Sequence, residues 1–229
     1  MSDLAARLDV LPAAQRAIWP ELRDVASLGW VLYGGTAIAL RLGHRASVDF
    51  DFFHDGPLDR ARLRAAWPRL ARATVLQDRA ETLTVQTPAD RAREPVKVSF
   101  FGGIEVGRVG DPEVTIDGVL QVASADDLLA HKLKVLLQRV EAKDYVDVGA
   151  LIGAGLRLDR GLASARALFG PAFQPSEALK ALVYFEGGDL HTLPPDVQQA
   201  LIAASRSVRT LPQVSVRSRT LALARDGRA

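Results

Sequence analysis

Apolar positions along this chain recur with two different periods. Up to about Ala123, short apolar runs of strand length alternate with helical stretches; from Ser124 onward the pattern is helical throughout. Asp3 to Arg16 and Pro20 to Ala26 read as two helices, with Asp3 as N-cap of the first and Pro20 at a helix start. Trp30 to Tyr33 reads as a strand ending in Gly34-Gly35. Thr36 opens a helix over Ala37 to Leu42 that closes at Gly43, and Val48 to Phe53 alternates apolar and acidic residues. Leu58 to Trp67 is helical, and Ala73 to Gln77 and Thr82 to Thr87 are strands joined by Asp78-Arg79-Ala80. In the strand Pro95 to Phe101, Val96, Val98 and Phe100 share one face and Lys97 and Ser99 the other. Gly102-Gly103 is a turn, and Val114 to Val122 is a further strand-like run. Ser124 and Asp127 then cap a helix running to about Val140, with Leu129, Leu133, Leu136 and Val140 as its buried stripe. A next helix begins at Lys143. Leu162 to Phe169, Ser176 to Phe185 and Pro195 to Ser205 are shorter helices, and Glu186 to Asp189 is a turn. The pattern predicts an α+β fold: an α/β domain over 1–123, with an N-terminal helical arm of about 1–28, and a helical domain over 124–229.

Chemistry concentrates between Leu32 and Phe53. A strand that turns into a helix through two glycines lets the backbone approach a ligand closely. The first N–H groups of that helix lack intrahelical partners and suit phosphate. Thr36 either adds a hydroxyl there or caps the helix. Asp49 and Asp51 are two apart on a strand and so share a face. At ~4 Å and an effective dielectric of ~20, two such charges repel by about 4 kcal/mol. A divalent cation relieves that repulsion and holds nucleotide phosphates as well. Thirteen residues separate Gly35 from Asp49, enough for one short helix and a return that brings the carboxylates beside the glycine turn. In the helical half, Lys132 and Arg139 lie seven apart on one side of their helix, flanking its stripe, which suits an anionic contact. Asp144 and Asp147 also share a side. The alternative for this cluster is a set of salt bridges such as Arg139 with Asp144, worth at most ~1 kcal/mol if exposed.

Gly-Gly-Thr-Ala-x-Ala-Leu followed by Gly-His-Arg-x-Ser-x-Asp-Phe-Asp-Phe-Phe resembles the nucleotidyltransferase superfamily signature. The wording is similar, in particular, to that of the AbiEii/AbiGii toxin-like nucleotidyltransferases. The resemblance covers about Val31 to Val148. It implies a nucleotidyltransferase-like mixed sheet with flanking helices, and transfer of NMP from an NTP to an acceptor hydroxyl. It implies Mg²⁺ (or Mn²⁺) on Asp49 and Asp51, with Gly34, Gly35 and Thr36 around the phosphates and Arg45 assisting. A third carboxylate commonly stands on the strand beside the pair; here that position is Ser99. Lys97 on the same face either contacts phosphate or is a strand-edge lysine. Glu94 and Glu105 are near enough in sequence to substitute for the acid, but no pattern selects them. The family's helical motifs map onto Asp126 or Asp127 with Lys132, then Arg139, Lys143 and Asp144. By that analogy Lys132 contacts the triphosphate, Asp144 orients Lys132 or the acceptor, and the helical half completes a cleft. The resemblance further implies a toxin of a toxin–antitoxin or phage-defence system, acting on tRNA or protein, with a winged-helix antitoxin as partner. Two alternatives stand beside it: an impaired, nucleotide- or partner-binding relative, which Ser99 favours, and a transferase acting on a small molecule such as an antibiotic.

Composition narrows the field. The chain has 229 residues, 48% hydrophobic and 24% charged, as expected of a globular protein with an ample core. It has no cysteine, which excludes disulfides and thiolate metal sites. His44, His54, His131 and His191 show no zinc-ligand spacing. No apolar run approaches the ~18 residues that span a bilayer, and the N-terminus is acidic rather than signal-like, so no membrane role and a cytoplasmic location are expected. Net charge is only +2, but Arg206, Arg209, Arg217, Arg219, Arg225 and Arg228 crowd one end, as either an RNA contact or a solvated tail.

Overall fold

The computed structural model describes residues 3–89 and 94–223, so Arg225 and Arg228 lie outside the described residues. The chain divides into two compact units. One comprises residues 1–107, 111–123 and 218–229; the other comprises 108–110 and 124–217.

The first unit is built on a mixed sheet. Its strands are β1 (Asp3–Leu4), β2 (Val31–Tyr33), β3 (Asp49–Phe53), β4 (Thr74–Arg79), β5 (Thr82–Gln86), β6 (Lys97–Phe101), β7 (Glu113–Thr115) and β8 (Gln121–Val122). They lie in the order β1-β7-β8-β2-β3-β6-β5-β4. β3 is antiparallel to β2 and parallel to β6, and β5 and β4 extend the sheet antiparallel beyond β6. The helices of this unit are α1 (Ala13–Ile18), α2 (Leu22–Ser27), α3 (Gly34–Leu42) and α4 (Arg60–Ala66). The alternation of β3 sorts its side chains: Phe50 and Phe52 are fully buried, while Asp49, Asp51 and Phe53 on the other face are half-buried. Phe52 stacks on Phe100 of β6, and Trp19, Trp30 and Trp67 close over this apolar face through ring contacts with Phe50 or Phe100. A central strand with one apolar and one acidic face is thereby fixed in register, since a one-residue slip would bury both aspartates.

Three local expectations are corrected here. Asp3 is no helix cap; it pairs with Val114 in a parallel bridge, and Leu4 is nearly buried against the sheet. Long-range strand pairing outweighs the weak helical signal of so short a segment. Val114 to Val122 is not one strand but the hairpin β7–β8, whose turn is held by Thr115 Oγ1 accepting from the N–H groups of Val119 and Leu120. Ser218 to Leu223 belongs to the first unit rather than to the helices: Leu221 N–H donates to Asp55, and Gln121 exchanges two hydrogen bonds with the Leu223 backbone.

The second unit is helical: α5 (Ala125–Val135), α6 (Ala142–Gly153), α7 (Leu158–Phe169), α8 (Pro175–Val183) and α9 (Pro195–Ser207). α5 packs on α6 and α7, and α9 on α6 and α8. Gly161 on α7 permits a close approach to α5, since a Cβ there would lie 2.5 Å from Leu129 Cδ2. Ser124 caps α5 as expected, accepting from Asp127 N–H. The helix stops at Val135 rather than Val140, its end tightened by i→i+3 bonds, so Val140 is exposed and drops out of the buried stripe. Among the described residues no helix is long and apolar enough to cross a membrane.

Candidate active site

The glycine turn and the acidic strand meet in the first unit. Gly34 is the first residue of α3 and has φ +73°; a Cβ on it would lie 2.5 Å from Asp51 Oδ2. Glycine is required twice here, by the backbone angle and by the carboxylate pressed against it. Gly35 follows in the same first turn. Thr36 is buried: its Oγ1 lies 2.8 Å from Ser47 Oγ and is hydrogen-bonded to the Asp49 carbonyl. It thus ties the start of α3 to the start of β3, and Tyr33 rather than Thr36 is the N-cap. Arg45 donates to the Ala46 carbonyl at 2.9 Å just before the acidic strand.

Strand register sets the rest of this face. Asp51 stands opposite Tyr33 on β2 and Ser99 on β6, and Asp49 stands opposite Lys97. Lys97 Nζ lies 3.1 Å from Asp49 Oδ2. Ser99 is buried, with Thr84 Oγ1 of β5 at 3.4 Å from its Oγ. The residue beside Asp51 is therefore a neutral hydroxyl in a row of hydroxyls. Among the described residues no group of three or more His, Asp or Glu side chains could hold a metal. The donor set still fits one hard divalent cation. Mg²⁺ is held by one or two carboxylates while waters and substrate phosphates complete its octahedron. The cradle at Gly34 leaves Asp51 room to serve as one of them. The Glu105 backbone carbonyl accepts from Arg219.

In the second unit the predicted residues form a different kind of cluster. Lys132 on α5 is buried, and its Nζ lies 2.6 Å from Asp144 Oδ1 and 2.6 Å from Asp147 Oδ2. Arg139 Nε lies 2.7 Å from Asp144 Oδ2, and Lys143 pairs with Glu141 at 2.7 Å. Because α5 ends early, Arg139 folds back in the linker to reach Asp144 instead of standing beside Lys132 on one helix. Burial opposes the charge on Asp144, but the bonds from Arg139 and the charge of Lys132 outweigh it and hold the carboxyl below its usual range. Asp127 accepts from Ser124 and from the N–H groups of Val109 and Gly110, and burial pushes its carboxyl upward. Asp126 pairs with Arg160. Sequence reasoning underrated Asp147. Its signal was the i, i+3 spacing from Asp144, which places both carboxylates over one lysine.

A fold with an acidic pair on a central strand beside a glycine-led helix is that of a nucleotidyltransferase. The family described as nucleotidyl transferase AbiEii toxin, type IV toxin–antitoxin system, matches residues 22–220, and this chain belongs to it. An uncharacterised protein of Aquifex aeolicus (strain VF5), aq_aa25, is 31% identical over 137 residues, which span 57% of this chain and 63% of that protein. A crystallised protein from H. pylori, itself a proposed nucleotidyltransferase, shares the fold with TM-score 0.55 at 18% identity, covering 90% of this chain and 95% of its own. MenT4, a nucleotidyltransferase toxin of Mycobacterium tuberculosis H37Rv, does so with TM-score 0.54 at 14% identity, over 84% of this chain and 83% of its own.

Proposed function

We propose that this protein transfers a nucleoside monophosphate from an NTP to an acceptor hydroxyl on tRNA or protein, as the toxin of a toxin–antitoxin pair. The observation that carries this reading is the Asp49–Asp51 pair, with Asp51 packed against Gly34 at the head of α3. The acceptor oxygen forms a bond to the α-phosphorus, the bond to the bridging oxygen breaks, pyrophosphate leaves, and the acceptor proton is lost to solvent or base. Asp49 and Asp51 would hold Mg²⁺ or Mn²⁺, which when bound neutralises phosphate charge. Gly34 and Gly35 offer backbone N–H groups to phosphate, and Thr36 positions the acidic strand. Lys97 and Arg45 are the cations of this unit nearest the pair in sequence and register. In the helical unit, Arg139 and Lys143 have half-exposed side chains suited to anionic substrate. Lys132 bridges Asp144 and Asp147 and fixes both carboxylates in place. Family membership supports a cognate antitoxin; a small winged-helix protein is the partner we propose.

Ser99 favours a second reading, a member that binds nucleotide without turnover, because no acid stands beside Asp51. Purified protein incubated with each α-labelled NTP, Mg²⁺ and total tRNA separates the two. Label on RNA or on protein that disappears in Asp49→Ala/Asp51→Ala supports transfer and identifies the acceptor class. No label on either, despite NTP binding, rules out transfer to these acceptors and supports the second reading. Label that persists in the double variant removes the site.

A further inference from the structure

The acidic face carries a cation of its own. Lys97 is fixed opposite Asp49 by the β3–β6 register, and its ammonium already contacts one oxygen of that carboxylate. Opposite Asp51, where a bridging acid would let two metal ions share the site, stand the Ser99 hydroxyl and, one strand further, Thr84. We propose that Asp49 and Asp51 hold a single divalent cation, and that the Lys97 ammonium supplies the positive charge a second cation would otherwise bring. The inference rests on the nucleotidyltransferase reading and sharpens it.

Lys97 brings one positive charge to the Asp49 carboxylate, where a second divalent ion would bring two. Two-metal sites place their ions about 3.5–4 Å apart and need carboxylates that bridge or flank both. The oxygen of Asp49 turned toward β6 is engaged by Lys97. Ser99 is a neutral, buried oxygen that offers no compensating charge. Lys97 itself is partly exposed on its strand, so it can stay on Asp49 or swing to a triphosphate without disturbing the core.

Electron paramagnetic resonance with Mn²⁺ tests this without turnover. The protein is saturated with α,β-methylene triphosphates of all four bases, and Mn²⁺ is titrated in, with nucleotide alone as blank. We expect one protein-dependent Mn²⁺ per complex and no Mn–Mn dipolar coupling. In nucleotide-free protein, Lys97→Met raises Mn²⁺ affinity about tenfold, as expected when a unit charge is removed from beside a ligand. Ser99→Asp adds a second, coupled Mn²⁺. Two coupled ions in the unaltered protein overturn the proposal, as does unchanged Mn²⁺ affinity in Lys97→Met. If Ser99→Asp does not fold, those two measurements still decide. Loss of all protein-dependent Mn²⁺ signal, or a signal indifferent to Asp49→Asn/Asp51→Asn, instead sinks the nucleotidyltransferase reading itself.

Discussion

Gly34 and Asp51 make the sharpest residue-scale claim. A methyl group at Gly34 meets Asp51 Oδ2 at 2.5 Å and also forces alanine into a left-handed backbone angle. The angle alone costs about 1–3 kcal/mol, and Asp51 must turn away besides. Gly34→Ala should therefore lower stability in urea unfolding by about 1–3 kcal/mol and weaken Mn²⁺ binding; retention of both would show that the contact yields freely. At this scale the sequence was readable where spacing is local. Asp49 and Asp51 were placed on one face by strand alternation alone, and the glycine pair before them marked the turn. The partner of Asp49 was not readable, because Lys97 reaches it only through a parallel register set forty-eight positions away. Local pattern leaves Thr36 as either a phosphate hydroxyl or a cap. Its burial against Ser47 depends on how the chain returns after α3, which no local pattern encodes.

At the scale of elements, termini decided what was legible. The start of α5 was visible because a cap is a local device. Ser124 Oγ accepts from Asp127 N–H and lies 2.5 Å from Asp127 Oδ2, while that carboxylate also binds the Val109 and Gly110 N–H groups. Ser124→Ala removes the cap and one partner of a buried carboxylate, so it should cost about 1–2 kcal/mol in denaturant unfolding. Ser124→Asp, which keeps a capping oxygen but adds charge beside Asp127, should not restore it fully. The end of α5 was not visible: its apolar spacing continues to Val140, yet Arg139 is pulled back by Asp144. β1 and the β7–β8 hairpin were missed for the same reason. Strands of two or three residues carry no period, and only their partners define them.

For the whole molecule, family and fold followed from the motif order, whereas the interleaving of the two units did not. Stability should also depend on pH through one group that the proposed reaction leaves unused. His131 on α5 lies edge-on to Phe169, its Nε2 is out of reach of water, and burial lowers its pKa to about 4. The unfolded chain binds that proton near 6.5, the ordinary imidazole value, so the stabilising contribution is complete above about 6.5 and declines as pH falls toward 4. The decline should reach up to about 3 kcal/mol. Denaturant unfolding of His131→Leu should show a flatter profile across that window; an equal slope would mean the imidazole stays hydrated. Asp144, held low, acts in a separate window below its usual carboxylate range, where protonating it removes stability.

The bond between Gln121 and Leu223 has a consequence in time. The amide of this buried side chain is satisfied at both ends by one backbone residue 102 positions later. On a ribosome, the strand bearing Gln121 emerges long before its partner does, and the whole helical stretch is made in between. The unit with the acidic pair, begun first, is thus completed last, and an unfinished chain carries an unmet polar group at its sheet.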